Sequence, residues 1–122
     1  MSAPFNADEA FCYVTTKGRR TGRDHTIEIW FGADGTTIYL LSGGGRRSDW
    51  VRNLLVEPSV AVRIGETTLE GTARLVDGDA EDAAARRGLA SKYQGWREGA
   101  AMSEWARTAL VVAIDLDESP RT

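Results

Sequence analysis

The stretch Thr26-Ile27-Glu28-Ile29-Trp30-Phe31-Gly32-Ala33-Asp34-Gly35-Thr36-Thr37-Ile38-Tyr39-Leu40-Leu41-Ser42 decides the fold. Thr26 to Phe31 alternates: Ile27, Ile29 and Phe31 face one way, Thr26, Glu28 and Trp30 the other. That period of two belongs to a strand with one buried face. Gly32-Ala33-Asp34-Gly35 reads as a hairpin turn, because an Asp-Gly pair supplies the positive φ angles such turns need. Thr37 to Ser42 then returns as the partner strand.

Working outward, the same grammar repeats. Upstream, Phe11 to Thr16 is rich in aromatic and β-branched residues and reads as a strand. It runs into a basic turn, Lys17 to Arg23. Downstream, Gly43-Gly44-Gly45 breaks the returning strand. Ser48 is placed to cap a short helix from Asp49 to Val56, whose apolar face comes from the pairs Trp50/Leu54 and Val51/Leu55. Pro58 stops it. Val60 to Ile64 and Thr67 to Val76 form two strands joined by Gly65-Glu66, and Gly71 marks a bulge or a close backbone approach. Asp79 opens a second helix to about Tyr93, with acids in its first turn and Arg86, Arg87 and Lys92 later, as the helix dipole favours. Gly88 weakens it mid-span. Gln94 to Ala106 is irregular or partly helical. Thr108 to Leu116 is a last strand, apolar on both faces from Ala109 to Ile114 and therefore central. The tail from Asp117 to Thr122 is polar and expected to fray.

About six strands in mostly tight hairpins, with two short helices, make a mainly β domain. A sheet so twisted and so thinly covered closes into a small barrel. The 122 residues suit one domain over 1–122, and 42% hydrophobic content is that of a globular chain. Cys12 is the only cysteine and His25 the only histidine, so neither an intrachain disulfide nor a His/Cys zinc site is available, and a Ser-His triad has poor material. Met1 to Ala10 lacks the apolar run of a signal peptide, and no stretch approaches the ~20 apolar residues of a bilayer span. A cytoplasmic setting follows.

The net charge is −3, which argues against nucleic acid as a partner, but the charge is unevenly spread. Two basic loops stand out. Lys17-Gly18-Arg19-Arg20-Thr21-Gly22-Arg23 offers four cations and two glycines. Arginine forks match phosphate or carboxylate oxygens. Read blandly, it is a solvated turn. Ser42-Gly43-Gly44-Gly45-Arg46-Arg47-Ser48 leads into a helix whose first N–H groups lack partners and attract anions. It matches neither a Walker A loop nor a dinucleotide fingerprint, and its bland reading is a flexible connection. A ligand touching both loops is anionic and extended, with room for a planar ring near Trp30 or Trp50.

These segments carry a resemblance. Thr15-Thr16-Lys17-Gly18-Arg19-Arg20-Thr21-Gly22-Arg23 resembles the T-T-x-G-R-x-[ST]-G-R segment of the deazaflavin-dependent nitroreductase and quinone reductase family. Leu41-Ser42-Gly43-Gly44-Gly45 with Asp49-Trp50-Val51-Arg52-Asn53-Leu54 is similar to its S-x-G-G…W-x-x-N-L segment. Glu57-Pro58 with Val60-Ala61-Val62, and Gly71-Thr72-Ala73-Arg74, resemble its N-P-x-V-x-V and G-x-A-R strands. The order of these segments carries the resemblance from about Val14 to Leu116.

The resemblance implies an FMN-binding-type split β-barrel, the coenzyme F420, and hydride transfer from the reduced deazaflavin to a nitro, quinone or other unsaturated acceptor. It implies that Arg19, Arg20 and Arg23, with Lys17 and Thr21, meet the phosphate or oligoglutamate tail. Ser42, Gly43, Gly44, Gly45, Arg46 and Arg47 would cradle the coenzyme, supported by Trp50 and Asn53. Tyr93 is the candidate proton donor, against a plainer role as a helix anchor. Hydride chemistry belongs to the coenzyme, so few catalytic side chains are needed. Two alternatives stay open: an FMN-binding barrel and a carrier or sensor that binds F420 without turnover. A homodimer is expected, since such barrels often pair.

Overall fold

The computed structural model describes residues 5–117. Its strands are β1 (Cys12–Lys17), β2 (Asp24–Ile29), β3 (Gly32–Asp34), β4 (Thr37–Ser42), β5 (Ser59–Ile64), β6 (Thr67–Leu75) and β7 (Leu110–Leu116). Its α-helices are α1 (Asp49–Val56), α2 (Asp79–Gln94) and α3 (Glu104–Thr108). The strands form one seven-stranded sheet in the order β2-β1-β5-β6-β7-β4-β3. Each registered pair is antiparallel.

The expected pairing of Thr26–Phe31 with Thr37–Ser42 does not occur. β2 pairs with β1 at one edge of the sheet, and β4 pairs with β3 and β7 near the other. The residues read as a turn, Gly32 to Asp34, are themselves the short strand β3, and the turn sits at Gly35-Thr36 with Gly35 at φ +62°. Alternation along a strand says which side chains are buried, not which strand lies alongside.

This topology forces the sheet to curl. β2 and β3 are its two edges, yet only Trp30 and Phe31 separate them in the chain. A flat sheet would hold such edges several strand spacings apart, each ~4.8 Å. The edges can be joined so briefly only if the sheet rolls into a split barrel. Phe31, fully buried, plugs the seam, and Phe5 meets its ring edge-on at 6.4 Å.

The interior is lined by Cys12 and Val14 from β1, Ile38 and Leu40 from β4, Val60, Val62 and Ile64 from β5, and Val112, Ile114 and Leu116 from β7. Val51 and Leu54 of α1 close it from below the glycine loop. A second cluster covers the outer faces of β4 and β7: Tyr39, Leu41, Val111 and Ala113 pack on Ala85 and Leu89 of α2. β7 is thus buried on both faces, as its unbroken apolar run anticipates. α2 runs longer than a short helix and ends in a left-handed Gly95. At Gly71 a Cβ would lie 2.7 Å from the Asp115 carbonyl oxygen, so this glycine marks a close backbone approach. The polar tail expected to fray lies, past Asp117, outside the described residues.

Candidate functional site

Two cavities lie along β2. One, of about 480 Å³, is lined by Gly18, Arg19, Arg20, Thr21 and His25, by Thr26 and Ile27 of β2, and by Asp49, Trp50 and Asn53 of α1. The other, of about 370 Å³, is lined by Phe11, by Glu28, Ile29 and Trp30, by Leu41, and by Gln94 and Trp105. Both volumes fall within the range of small-molecule sites. Each cavity has β2 on one wall and part of the segment Leu41 to Asn53 on the other. The glycine loop joins those two parts, and Trp105 reaches it: a Cβ on Gly43 would lie 3.9 Å from Trp105 Cδ1.

The basic cavity is built on Asn53. This side chain is buried, and its Nδ2 donates to Thr16 Oγ1 of β1 at 3.2 Å. Its Oδ1 accepts from the Arg19 backbone N–H at 3.1 Å and from Arg19 Nη1 at 2.9 Å. Arg19 Nη2 reaches Asp49 at 3.3 Å. The first basic turn is therefore pinned to α1, and Arg19 is spent on the pinning. Gly18 lets the His25 ring sit close to the backbone, since a Cβ there would fall 2.8 Å from His25 Nε2 and displace that side chain. The imidazole thus lies against the bare backbone beside Thr21.

The other expected coenzyme-binding residues are distributed as follows. Arg20 and Thr21 line the basic cavity with Trp50 and Asn53. Lys17 pairs with Asp24 at 2.9 Å and lines a separate surface depression; Arg23 is exposed and outside the cavity lining. Ser42 is buried, donates to the Gly45 carbonyl at 3.0 Å and shares a 3.0 Å hydrogen bond with Ser48, so it shapes the loop. Ser48 sits at the N-cap of α1 but makes no side-chain cap hydrogen bond. Gly44 leaves space that a Cβ would deny, 2.5 Å from Ser48 Oγ, and Gly45 has φ +61°. Arg46 and Arg47 are exposed in the 3-10 turn that follows.

Aromatic planes define the second cavity. Trp30 stacks on Tyr93 with centroids 4.3 Å apart and planes 3° from parallel, while Trp105 meets Trp30 at 86° and 5.4 Å. The hydroxyl of Tyr93 accepts from the Phe31 N–H at 3.0 Å and lies 2.9 Å from the Ala10 carbonyl and 3.1 Å from that of Phe31. Burial raises its pKa above the ordinary tyrosine value. Tyr93 is not among the residues lining the cavity. Beside it, Lys92 Nζ donates to the Ala7 and Phe31 carbonyls and sits 3.7 Å from the Phe31 ring. The Cys12 thiol is fully buried and pushed up to about 12 by that burial, which leaves it inert.

In the sequence reading His25, Glu28, Phe11 and Leu41 have no site role; His25 and Glu28 are exposed, and each of the four lines one of the two cavities. The signal for Glu28 was present: it shares a face of β2 with Trp30. His25 follows the basic turn and Leu41 precedes the glycine loop, but only the folded register brings them to the cavities.

The donor set suits an elongated molecule with an anionic end and a planar end. Arg20, Thr21, His25 and the Gly18 backbone could hold the first; Trp30, Trp105, Leu41 and Ile29 could hold the second. Among the described residues, no helix is long and apolar enough to cross a membrane.

Comparison with known proteins gives a consistent result. The sequence profile of the F420H(2)-dependent quinone reductases matches residues 4–116. Among solved structures, an F420-H2 dependent reductase, FDR-A, is similar with TM-score 0.68 and 18% identity, over 93% of this chain and 98% of that one. An F420 reductase aligns with TM-score 0.63 and 14% identity over 96% of both chains. HutZ, the heme storage protein from Vibrio cholerae, aligns with TM-score 0.67 and 14% identity over 91% of this chain and 84% of that one. At these identities the structural likeness is one of fold alone. No curated protein matches the chain. The profile match, spanning nearly all of the chain, carries the assignment: this protein belongs to the F420H(2)-dependent quinone reductase family.

Proposed function

We propose that the protein binds reduced F420 in the groove along β2 and reduces a small quinone, nitro or other unsaturated organic acceptor. The observation that supports this reading is a pair of cavities bordered by successive residues of β2, one basic and one aromatic. The basic turn is held against α1 through Asn53, so that Arg20 and Thr21 line one cavity with Trp50, whereas Ser42 to Arg47, the other loop read as an anion site, line neither cavity.

Arg20, Thr21, His25 and the Gly18 backbone hold the anionic tail, with Arg19 and Asn53 fixing the turn that presents them. Trp30, Trp105 and Leu41 hold planar rings and keep water from their faces. The reduced deazaflavin, when bound, supplies a hydride. For a quinone the balance is complete with one proton: quinone gains hydride and proton to become hydroquinone, and the reduced coenzyme is oxidised by two electrons. Holding donor and acceptor together supplies much of the rate. The proton comes from solvent at the open aromatic cavity. Tyr93 acts as a positioning residue, because its hydroxyl is engaged with the backbone at the seam.

Titration of tryptophan fluorescence with F420 tests the reading, since Trp50 lines one cavity and Trp30 and Trp105 the other. Quenching at micromolar coenzyme is expected. Replacing Arg20 with Ala is expected to weaken binding about tenfold, the worth of one charge-assisted hydrogen bond. That loss is expected to shrink as salt rises. Tight FMN binding without F420 binding would reassign the barrel. Tight F420 binding without turnover of quinones, nitroaromatics or enoates would make it a carrier. Pairing of two copies is checked by sedimentation, where a single 13.3 kDa species would set a homodimer aside.

A further inference from the structure

The two cavities beside β2 differ in charge. The first cavity carries Arg19 and Arg20, with Asp49 paired to Arg19. In the aromatic cavity Glu28 is the only charged lining residue among the described residues. Its carboxylate accepts a hydrogen bond from the Tyr13 hydroxyl at 3.2 Å and forms no salt bridge with any described residue. Arg63, the partner of Tyr13 on β5, lies over the Tyr13 ring at 4.2 Å and donates to the Gly65 carbonyl at 2.8 Å. Register explains the placement: Tyr13 and Glu28 are direct partners across β1 and β2, and Glu28 lies two residues before Trp30 on the same face.

The cavity walls sharpen the consequence. Trp30 and Trp105 stand nearly perpendicular, so a flat molecule can lie on one ring while its edge meets the other. Aromatic faces attract positive charge, and a carboxylate at the rim adds to that attraction. A carboxylate or sulfonate on the bound molecule would instead meet like charge, at a cost that discriminates between partners.

Resting on the F420-reductase reading, we propose that Glu28 is a charge-selecting residue. The aromatic cavity takes planar acceptors that are uncharged or carry positive charge on the ring system, and it turns away anionic ones.

Three acceptors of matched shape test this: an uncharged naphthoquinone, an N-alkylated cationic analogue and a sulfonated one. Their binding is measured by calorimetry on protein carrying oxidised F420, which requires no turnover, and their reduction is followed separately with F420H2. Wild-type protein is expected to bind the sulfonated compound about tenfold more weakly than the uncharged one. Glu28→Gln, an exposed and nearly isosteric change, is expected to recover about fivefold for the sulfonated compound and to weaken the cationic one. The uncharged compound should stay within about twofold. Equal binding of all three by the wild type, or an equal change of all three in E28Q, overturns the proposal. Absence of F420 binding overturns the underlying reading instead. Normal F420 binding with no binding of the uncharged quinone overturns the assignment of this cavity to the acceptor.

Discussion

Arg74 is the most heavily engaged side chain of the fold. It donates to Glu81 of α2 from Nη1 and Nη2 at 2.9 and 2.7 Å, and to Asp115 of β7 from Nε at 2.7 Å. Tyr39 of β4 donates to the same Glu81, and Thr37 to Asp115. The Arg74 hydrogen bonds lower the Glu81 carboxyl from its ordinary 4.5 to about 2 and lower Asp115 as well. Depressed carboxyl pKa values mean that the unfolded chain binds protons more readily. Their stabilisation is complete above about pH 4.5 and is lost as the pH falls towards 2. Melting temperature is therefore expected to fall across that window. In Arg74→Met it is expected to start lower at neutral pH and to fall less steeply on acidification. An equally steep acid limb in the variant would place the pH dependence elsewhere. These residues are half exposed, so solvent screens the pairs and their worth lies in joining helix to sheet.

At the scale of elements, strands and helices were legible where local chemistry speaks. Pro58 ends α1, the Gly65 turn joins β5 to β6, and the acid-then-base order of α2 marks its direction. Partners were not legible. β3 has only three residues and the composition of a turn, and its strand identity comes from pairing with β4. Of the candidate site, the basic turn stands out in the sequence because glycine and arginine cluster there, and it lines a cavity; the glycine loop stands out for the same reason but lines neither cavity. The division of labour among the arginines could not be read, since it depends on Asn53, thirty-four positions from Arg19. Two glycines illustrate how context decides. Gly71 has Asp115 and Ile114 within 2.8 Å of where a Cβ would stand, whereas Gly88 on α2 has nothing within 4 Å. Denaturant melts are expected to show Gly71→Ala losing about 1–3 kcal/mol by overpacking. Gly88→Ala is expected to gain about 0.5–1 kcal/mol by favouring the helix. A neutral Gly71→Ala would mean that β6 and β7 separate easily.

At the scale of the molecule, the barrel depends on its seam. The chain crosses from one edge of the sheet to the other at Trp30-Phe31, and the Tyr93 hydroxyl and Lys92 ammonium bind the backbone there. Tyr93→Phe removes the acceptor of a buried N–H, for which about 1–3 kcal/mol is the usual cost. The expected result is a less stable protein whose rate of hydride transfer, with saturating substrates, changes little. A hundredfold loss of that rate with unchanged stability would restore Tyr93 as the proton donor.

β2 borders the groove and has no strand on its outer side. Backbone groups on such a border invite a foreign ribbon to attach. Whatever fills the groove stands in for the absent neighbour. Coenzyme is thus expected to act as a colloidal stabiliser as well as a reductant, and light scattering on gentle heating should show clouding later in charged protein than in empty protein.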